Sequence, residues 1–287
     1  MSARFGPGGN SADFPYRSSL EAPDWLAGQG LDLYEYECGR GVSIGEESAR
    51  KLGERARQAG IGLTLHAPYF ISLANPDPES LKKSIGYVLA ACRAADWMGA
   101  FRVVVHSGSL MKRTRREAQD ISIRSLREVI KACDGEGYGH ITLCPETMGK
   151  INQLGDLDEV LELCQVDERL LPTVDFGHLY ARSLGADEGG EAFSRMLDRM
   201  EAALGKERAS RAHCHFSRIE FTPGGGEKCH RTFADHGGFG PDPEPLMAEL
   251  ARRGWSPTII CESAGTQTQD ALTMKRLYEG YRERMKA

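Results

Sequence analysis

No Cys-x-x-Cys pair occurs among the eight cysteines of this 287-residue chain, and no apolar run approaches membrane-spanning length. Basic residues do not dominate either: 36 Lys and Arg against 41 Asp and Glu give a formal net charge of −5. The scattered cysteines read as small buried hydrophobes in a reducing compartment rather than as a disulfide framework. The lack of a long apolar run excludes a helical membrane protein. Met1 to Gly9 also lacks the hydrophobic centre of a secretory signal, so a cytoplasmic protein is expected. The acidic balance argues against a surface that coats phosphates over its whole extent. A local patch or bound cations can still attract an anion. Nor is there a phosphate-cradling P-loop. Gly224-Gly225-Gly226-Glu227-Lys228 lacks its spacing and its Ser or Thr.

What is present is one pattern, repeated. Short apolar runs end in a residue that can bind a metal or move a proton. Ile61 to Leu65 runs into His66, Phe101 to Val105 into His106, and Ile141 to Pro145 into Glu146. Leu170 to Val174 runs into Asp175 with His178 three residues on in the loop that follows, Arg211 to Cys214 into His215, and Thr258 to Cys261 into Glu262. Taken singly, a strand-end His is more often a hydrogen-bonded structural residue, and Asp or Glu there often caps the next helix. Six such endings together indicate a shared site.

The intervening stretches read as helices: Ser43 to Ala59, Asp77 to Ala100, a basic start at Lys112 to Arg116 leading to about Cys133, Leu157 to Cys164 after the N-cap candidate Asp156, Asp187 to Leu204, Pro245 to Arg253 and Gln269 to Arg284. Leu31 to Glu37 alternates at period two, a strand signal. Glu220 to Pro245, rich in Gly and Pro, reads as an extended loop. With a weak N-terminal run counted, about eight strand–helix units imply a parallel sheet with right-handed crossovers. The expected fold is α/β, a single (β/α)8 TIM barrel over residues 1–287 with a metal site at the C-terminal face of its strands. His213 shares a face with His215 and is expected one layer deeper, as a core residue or a support for the site.

Imidazole and carboxylate donors from different strands suit zinc or manganese, and a bridging carboxylate can hold two cations at a spacing useful for phosphoryl displacement. Tyr69-Phe70 is either an apolar loop folded over the barrel rim or an exposed platform for a base, and spacing alone does not choose.

At this point the ordered set resembles a known family. His66-Ala67-Pro68-Tyr69, Val105-His106-Ser107-Gly108-Ser109, Pro145-Glu146-Thr147-Met148-Gly149, Val174-Asp175-Phe176-Gly177-His178, His215-Phe216-Ser217 and Cys261-Glu262-Ser263 together look like endonuclease IV, the family 2 apurinic/apyrimidinic (AP) endonucleases. The resemblance implies a TIM barrel with up to three Zn2+ that hydrolyses double-stranded DNA 5′ to an abasic site, by attack of metal-activated hydroxide. It assigns His66 and His106 to one zinc and makes Glu146 the bridge to a second, completed by Asp175, His215 and Glu262. A third zinc takes His178 and an acid–His pair. Glu146 and Glu262 are then the catalytic carboxylates, and Tyr69, Phe70 and Arg40 the expected DNA contacts. A monomer and no membrane partner are expected.

The sequence departs from that pattern in places. Glu227-Lys228-Cys229-His230 has one residue more than the family's acid-x-His, and Asp235-His236 is a competing pair. Ser107 stands where many relatives have proline, and the loop around Arg40 is unlike theirs. The alternative function is a sugar isomerase or epimerase on the related xylose-isomerase-like barrel. Such an enzyme needs one divalent metal and a quartet such as Glu146, Asp175, His215 and Glu262, with carboxylates moving protons beside a carbonyl.

Overall fold

A computed structural model describes residues 2–235 and 237–286. Its strands in chain order are β1 (Arg4–Pro7), β2 (Leu33–Glu37), β3 (Gly62–His66), β4 (Arg102–Val105), β5 (Thr142–Pro145), β6 (Thr173–Asp175), β7 (His213–Phe216), β8 (Arg218–Thr222), β9 (Gly226–Arg231) and β10 (Thr258–Cys261). Two parallel arcs, β2-β3-β4-β5 and β6-β7-β10-β1, make up the wall. Parallel bridges between Gly8 and Glu35 and between Glu146 and Thr173 join the arcs at both seams. The result is a closed eight-stranded parallel barrel, a TIM barrel. Gly6 permits one closure: a Cβ there would lie 2.1 Å from the carbonyl oxygen of Leu33.

Ten α-helices are described: α1 (Ala22–Gln29), α2 (Glu46–Ala59), α3 (Pro78–Met98), α4 (Arg115–Gly135), α5 (Leu157–Cys164), α6 (Phe176–Arg182), α7 (Gly189–Leu204), the short α8 (Lys206–Ala209), α9 (Pro243–Arg253) and α10 (Gln267–Arg284). Their starts follow from the sequence. Asp77 accepts from the Ser80 amide, and both Thr114 with Glu117 and Asp156 with Glu159 form capping boxes. None of these helices is long and apolar enough to cross a membrane.

Alternation along the strands sorts the core into two parts. Phe5, Leu63, Leu65, Val103, Val105, Leu143, Val174, Cys214, Phe216, Ile259 and Cys261 belong to the large apolar layer shared with the surrounding helices. The opposite face carries Glu35, Thr64, Thr173, His213 and Thr258, all buried, beside a small cluster of Val104, Cys144 and Leu171. A barrel interior this polar must satisfy its own donors and acceptors, because water has no room to do so.

Two expectations need correction. Glu220 to Pro245 is not an extended loop: β8 and β9 pair as an antiparallel hairpin around Pro223-Gly224-Gly225, with a bulge at Glu220 and Phe221. The glycines make the turn, and the hairpin is seated by an antiparallel bridge from Gly226 to Lys150 and by the Glu227 amide donating to the Gly149 carbonyl at 3.1 Å. Second, the segment after Asp175 is helical from its first residue. Asp175 caps α6 by accepting from the His178 amide at 2.7 Å, so His178 stands on a helix rather than in a loop.

Candidate metal centre

The strand ends bring the expected donors together. Glu146, one residue past β5, is fully buried and central. Its Oε2 lies 2.9 Å from His106 Nε2 and 3.3 Å from His66 Nε2, and its Oε1 lies 2.9 Å from His215 Nδ1. His178 Nδ1 is 3.9 Å from the same Oε1. Parallel register explains the convergence, since Asp175 and Ile260 both pair with His215 across neighbouring strands and Glu262 follows two residues beyond. Glu262 Oε1 is 3.4 Å from His215 Nδ1.

Three groups of the expected donors lie close enough to share a cation: His66, Glu146 and His215; Glu146, Asp175, His215 and Glu262; and His178, Glu227 and His230. The third draws two residues of the late segment beside His178. Glu227 and His230 come off β9, with Glu227 Oε2 3.6 Å from His178 Nε2 and its Oε1 3.9 Å from His230 Nε2. Asp235 instead accepts from the Thr232 amide within a turn, and His236 lies outside the described residues.

The ring orientations suit ligation. His66 Nδ1 is 2.8 Å from the Ala67 carbonyl, His178 Nδ1 is 2.8 Å from the Thr147 carbonyl, and His230 Nδ1 is 2.8 Å from Ser217 Oγ. A carbonyl can only accept, so in His66 and His178 Nδ1 keeps its proton, and Nε2, which faces the carboxylates, is the nitrogen that would bind a cation once its own proton is lost. Asp175 Oδ2 is buried with no hydrogen-bond partner while Oδ1 caps α6, and this orphaned oxygen fits a cation.

The electrostatics match. Burial alone would raise the Glu146 carboxyl, yet His215, His106 and His66 hold it well below the usual range. Burial is likewise overridden at Glu262, held at about 2 chiefly by His215. The imidazoles respond in the opposite sense. Despite burial, His66 is raised to about 10 by Glu146 and Glu37, and His178 to about 9 by Asp175 and Glu227. Cation-free, the cluster therefore neutralises its carboxylates with protons on the rings, which a metal would displace.

Two carboxylates beside the site were not singled out from the sequence. Glu35 on β2 is fully buried, with Thr64 Oγ1 donating to its Oε2 at 2.7 Å. Glu37, two residues on, lines the cavity, and burial drives its carboxyl up to about 8. Period-two alternation over Leu33 to Glu37 already puts both carboxylates on one face, and that was the available signal. His213 lies one layer below His215, fully buried. Its Nε2 is 3.1 Å from Glu35 Oε2, and burial pushes the ring down to about 4.

The cavity above the cluster is about 550 Å3 and open to solvent, with Glu37, His66, Tyr69, Glu146, Lys150 and Glu262 on its walls. Tyr69 and Phe70 are about half exposed at 53% and 51%, so neither folds away into the rim. The Tyr69 ring stacks on His106 at 5.5 Å between centroids, and its hydroxyl donates to Glu37 at 3.3 Å. Gly39 makes room, since a Cβ there would lie 2.1 Å from the Tyr69 ring. Arg40 is exposed on the same loop. Phe70 meets Tyr87 edge-on at 4.7 Å.

Comparison with known proteins places the molecule. The chain is 31% identical to an uncharacterized protein of Methanocaldococcus jannaschii over 256 residues, covering 89% of this chain and 90% of that one. It is 26% identical to a protein of Mycobacterium tuberculosis named Probable endonuclease 4, covering 86% and 91%. Among solved structures, a D-tagatose 3-epimerase-like protein superposes with a TM-score of 0.72 at 19% identity, covering 99% of this chain and 100% of that chain. Endonuclease IV from Thermus thermophilus superposes with a TM-score of 0.66 at 20% identity, covering 98% and 99%. Residues 23–282, nearly the whole chain, match one family description, and the chain belongs to the xylose isomerase-like TIM barrel family.

Proposed function

We propose that this chain is a zinc-dependent AP endonuclease that hydrolyses the DNA phosphodiester 5′ to an abasic site. The observation that carries the reading is the three-part donor cluster. Glu146 is shared by two of its groups, and the third is completed by His178, Glu227 and His230. A one-metal isomerase needs only the Glu146, Asp175, His215 and Glu262 quartet and has no use for His66, His106, His178 and His230 as further ligands. The M. tuberculosis relative named Probable endonuclease 4 supports the same choice.

Zinc ions held there would polarise the phosphodiester and acidify a water molecule. Three dications against the four carboxylates Glu146, Asp175, Glu227 and Glu262 leave a net formal charge of about +2, which favours a phosphate anion in a protein that is acidic elsewhere. Glu262 and Glu146, ionised at neutral pH, accept hydrogen bonds from the attacking water and fix its approach. Lys150 on the cavity wall is placed to meet a neighbouring phosphate. Tyr69, Phe70 and Arg40 form the rim that faces the duplex, with the two rings offering stacking surface beside the lesion. The protein acts as a single-domain monomer in the cytoplasm.

A second reading, a one-metal ketose epimerase or isomerase, rests on the quartet converging by itself. Incision of a labelled duplex bearing one abasic site separates the two. Zinc-loaded protein is expected to cut the lesion strand, and Glu146→Gln to lose at least about 100-fold in rate. An intact strand from fully loaded wild-type protein would refute the nuclease reading.

A further inference from the structure

We infer that Glu35 is a positioning carboxylate that fixes His215 as an Nδ1 metal ligand, and that it thereby sets the occupancy of the Glu146–Asp175–His215–Glu262 site. The inference rests on the metal-binding part of the proposed function and on nothing about the substrate.

An imidazole that ligates through one nitrogen carries its proton on the other, and the group facing that second nitrogen decides the tautomer. His215 Nδ1 faces Glu146 Oε1 at 2.9 Å and Glu262 Oε1 at 3.4 Å. Its Nε2 lies 2.8 Å from Glu35 Oε1 and 3.1 Å from His213 Nε2. An ionised carboxylate can only accept and a neutral His213 ring can accept as well, so a proton is held on Nε2 and Nδ1 is the nitrogen that would bind a cation. His66 and His178 obtain the same service from backbone carbonyls. A carboxylate is the stronger acceptor and makes the ring the better donor to a metal.

Glu35 is in turn held from neighbouring strands. Thr64, its register partner on β3, donates to Oε2 at 2.7 Å, and His213 Nε2 on β7 is 3.1 Å from the same oxygen. Glu35, Thr64, His213 and His215 are all fully buried, so no solvent can replace a deleted partner. His213 occupies the layer below His215 on the same strand face and braces the carboxylate from beneath. This gives a role to a pair of residues, Glu35 and His213, that supply none of the donors facing the cavity.

The test is a count of bound metal, with no DNA present. Wild-type, Glu35→Ala and His213→Ala proteins are stripped, titrated with Zn2+ against a competing chelator and measured by elemental analysis, with circular dichroism to establish folding. Glu35→Ala is expected to weaken one equivalent by about 10–100-fold and leave the others unchanged. His213→Ala and Thr64→Val, which keep the carboxylate but loosen it, are expected to weaken the same equivalent less. In zinc-loaded protein labelled with 15N-histidine, the His215 proton is expected on Nε2. Folded Glu35→Ala that loads like wild type, or a His215 proton on Nδ1, would overturn the inference while leaving the metal centre intact. Should Glu35→Ala fail to fold, the two bracing variants decide, and wild-type loading by both overturns it. A wild-type chain that takes up no metal refutes the metal centre itself.

Discussion

Removing Glu146 probes how the cluster is shared. In Glu146→Ala the carboxylate that touches His66, His106 and His215 at 2.9–3.3 Å disappears, and with it a bridging group common to the first two donor sets. The third set, His178, Glu227 and His230, does not include it. Apparent zinc affinities of four-ligand sites run to roughly 10–16 kcal/mol, so one ligand of four is worth about 3 kcal/mol, or on the order of 100-fold in Kd. The loss falls on two sites at once. With free zinc buffered about 10-fold above the wild-type dissociation constant, wild-type protein is therefore expected to hold about three equivalents and Glu146→Ala about one. Elemental analysis after equilibrium dialysis reads this directly. A variant that still holds three would show that Glu146 is not the bridge. One that holds none would show that the His178 site depends on the other two, contrary to the separation drawn here.

Further predictions concern protons and the rim. His66 at about 10, His178 at about 9 and His215 well above its usual value are all protonated at pH 7 in the metal-free chain, and each must lose that proton to ligate. Loading is expected to release roughly three protons per chain and to weaken steadily as pH falls, measured by calorimetry in buffers of different ionisation enthalpy; release of none would refute the assigned protonation. Tyr69→Ala and Phe70→Ala are each expected to cost about 1–3 kcal/mol in binding to abasic duplex without changing metal content. Unchanged affinity in both would remove the rim from the DNA interface. Gly39→Val should act like Tyr69→Ala on binding, because its side chain would occupy the space of the Tyr69 ring. Wild-type affinity there would show that the ring position is not needed.

Much of the barrel, and the convergence of the strand-end donors, was legible because period and punctuation agreed. Each apolar run is short, ends in a polar donor and is followed by a helix with its own cap, as Asp77, Thr114 and Asp156 show. Such a pattern leaves parallel strands with converging ends as the consistent solution. The hairpin from Arg218 to Arg231 was not legible, because its glycine- and proline-rich composition is that of a loop and its order comes from docking on Gly149 and Lys150. Tertiary contact overrode local propensity there. Glu35 was missed for another reason: a carboxylate inside a strand normally faces solvent, and only the fold shows Thr64, His213 and His215 arriving from neighbouring strands to satisfy it.

The most direct test of the central claim is the position and chemistry of the cut in a duplex carrying one abasic site, labelled at either end and incubated with zinc-loaded protein. The account predicts hydrolysis immediately 5′ to the lesion, leaving a 3′-hydroxyl and a 5′ sugar phosphate, with activity lost on chelation and restored by zinc. Cleavage on the 3′ side by elimination would contradict it. So would an intact duplex together with a single bound metal and turnover of a ketose, which would assign the same barrel to sugar epimerisation.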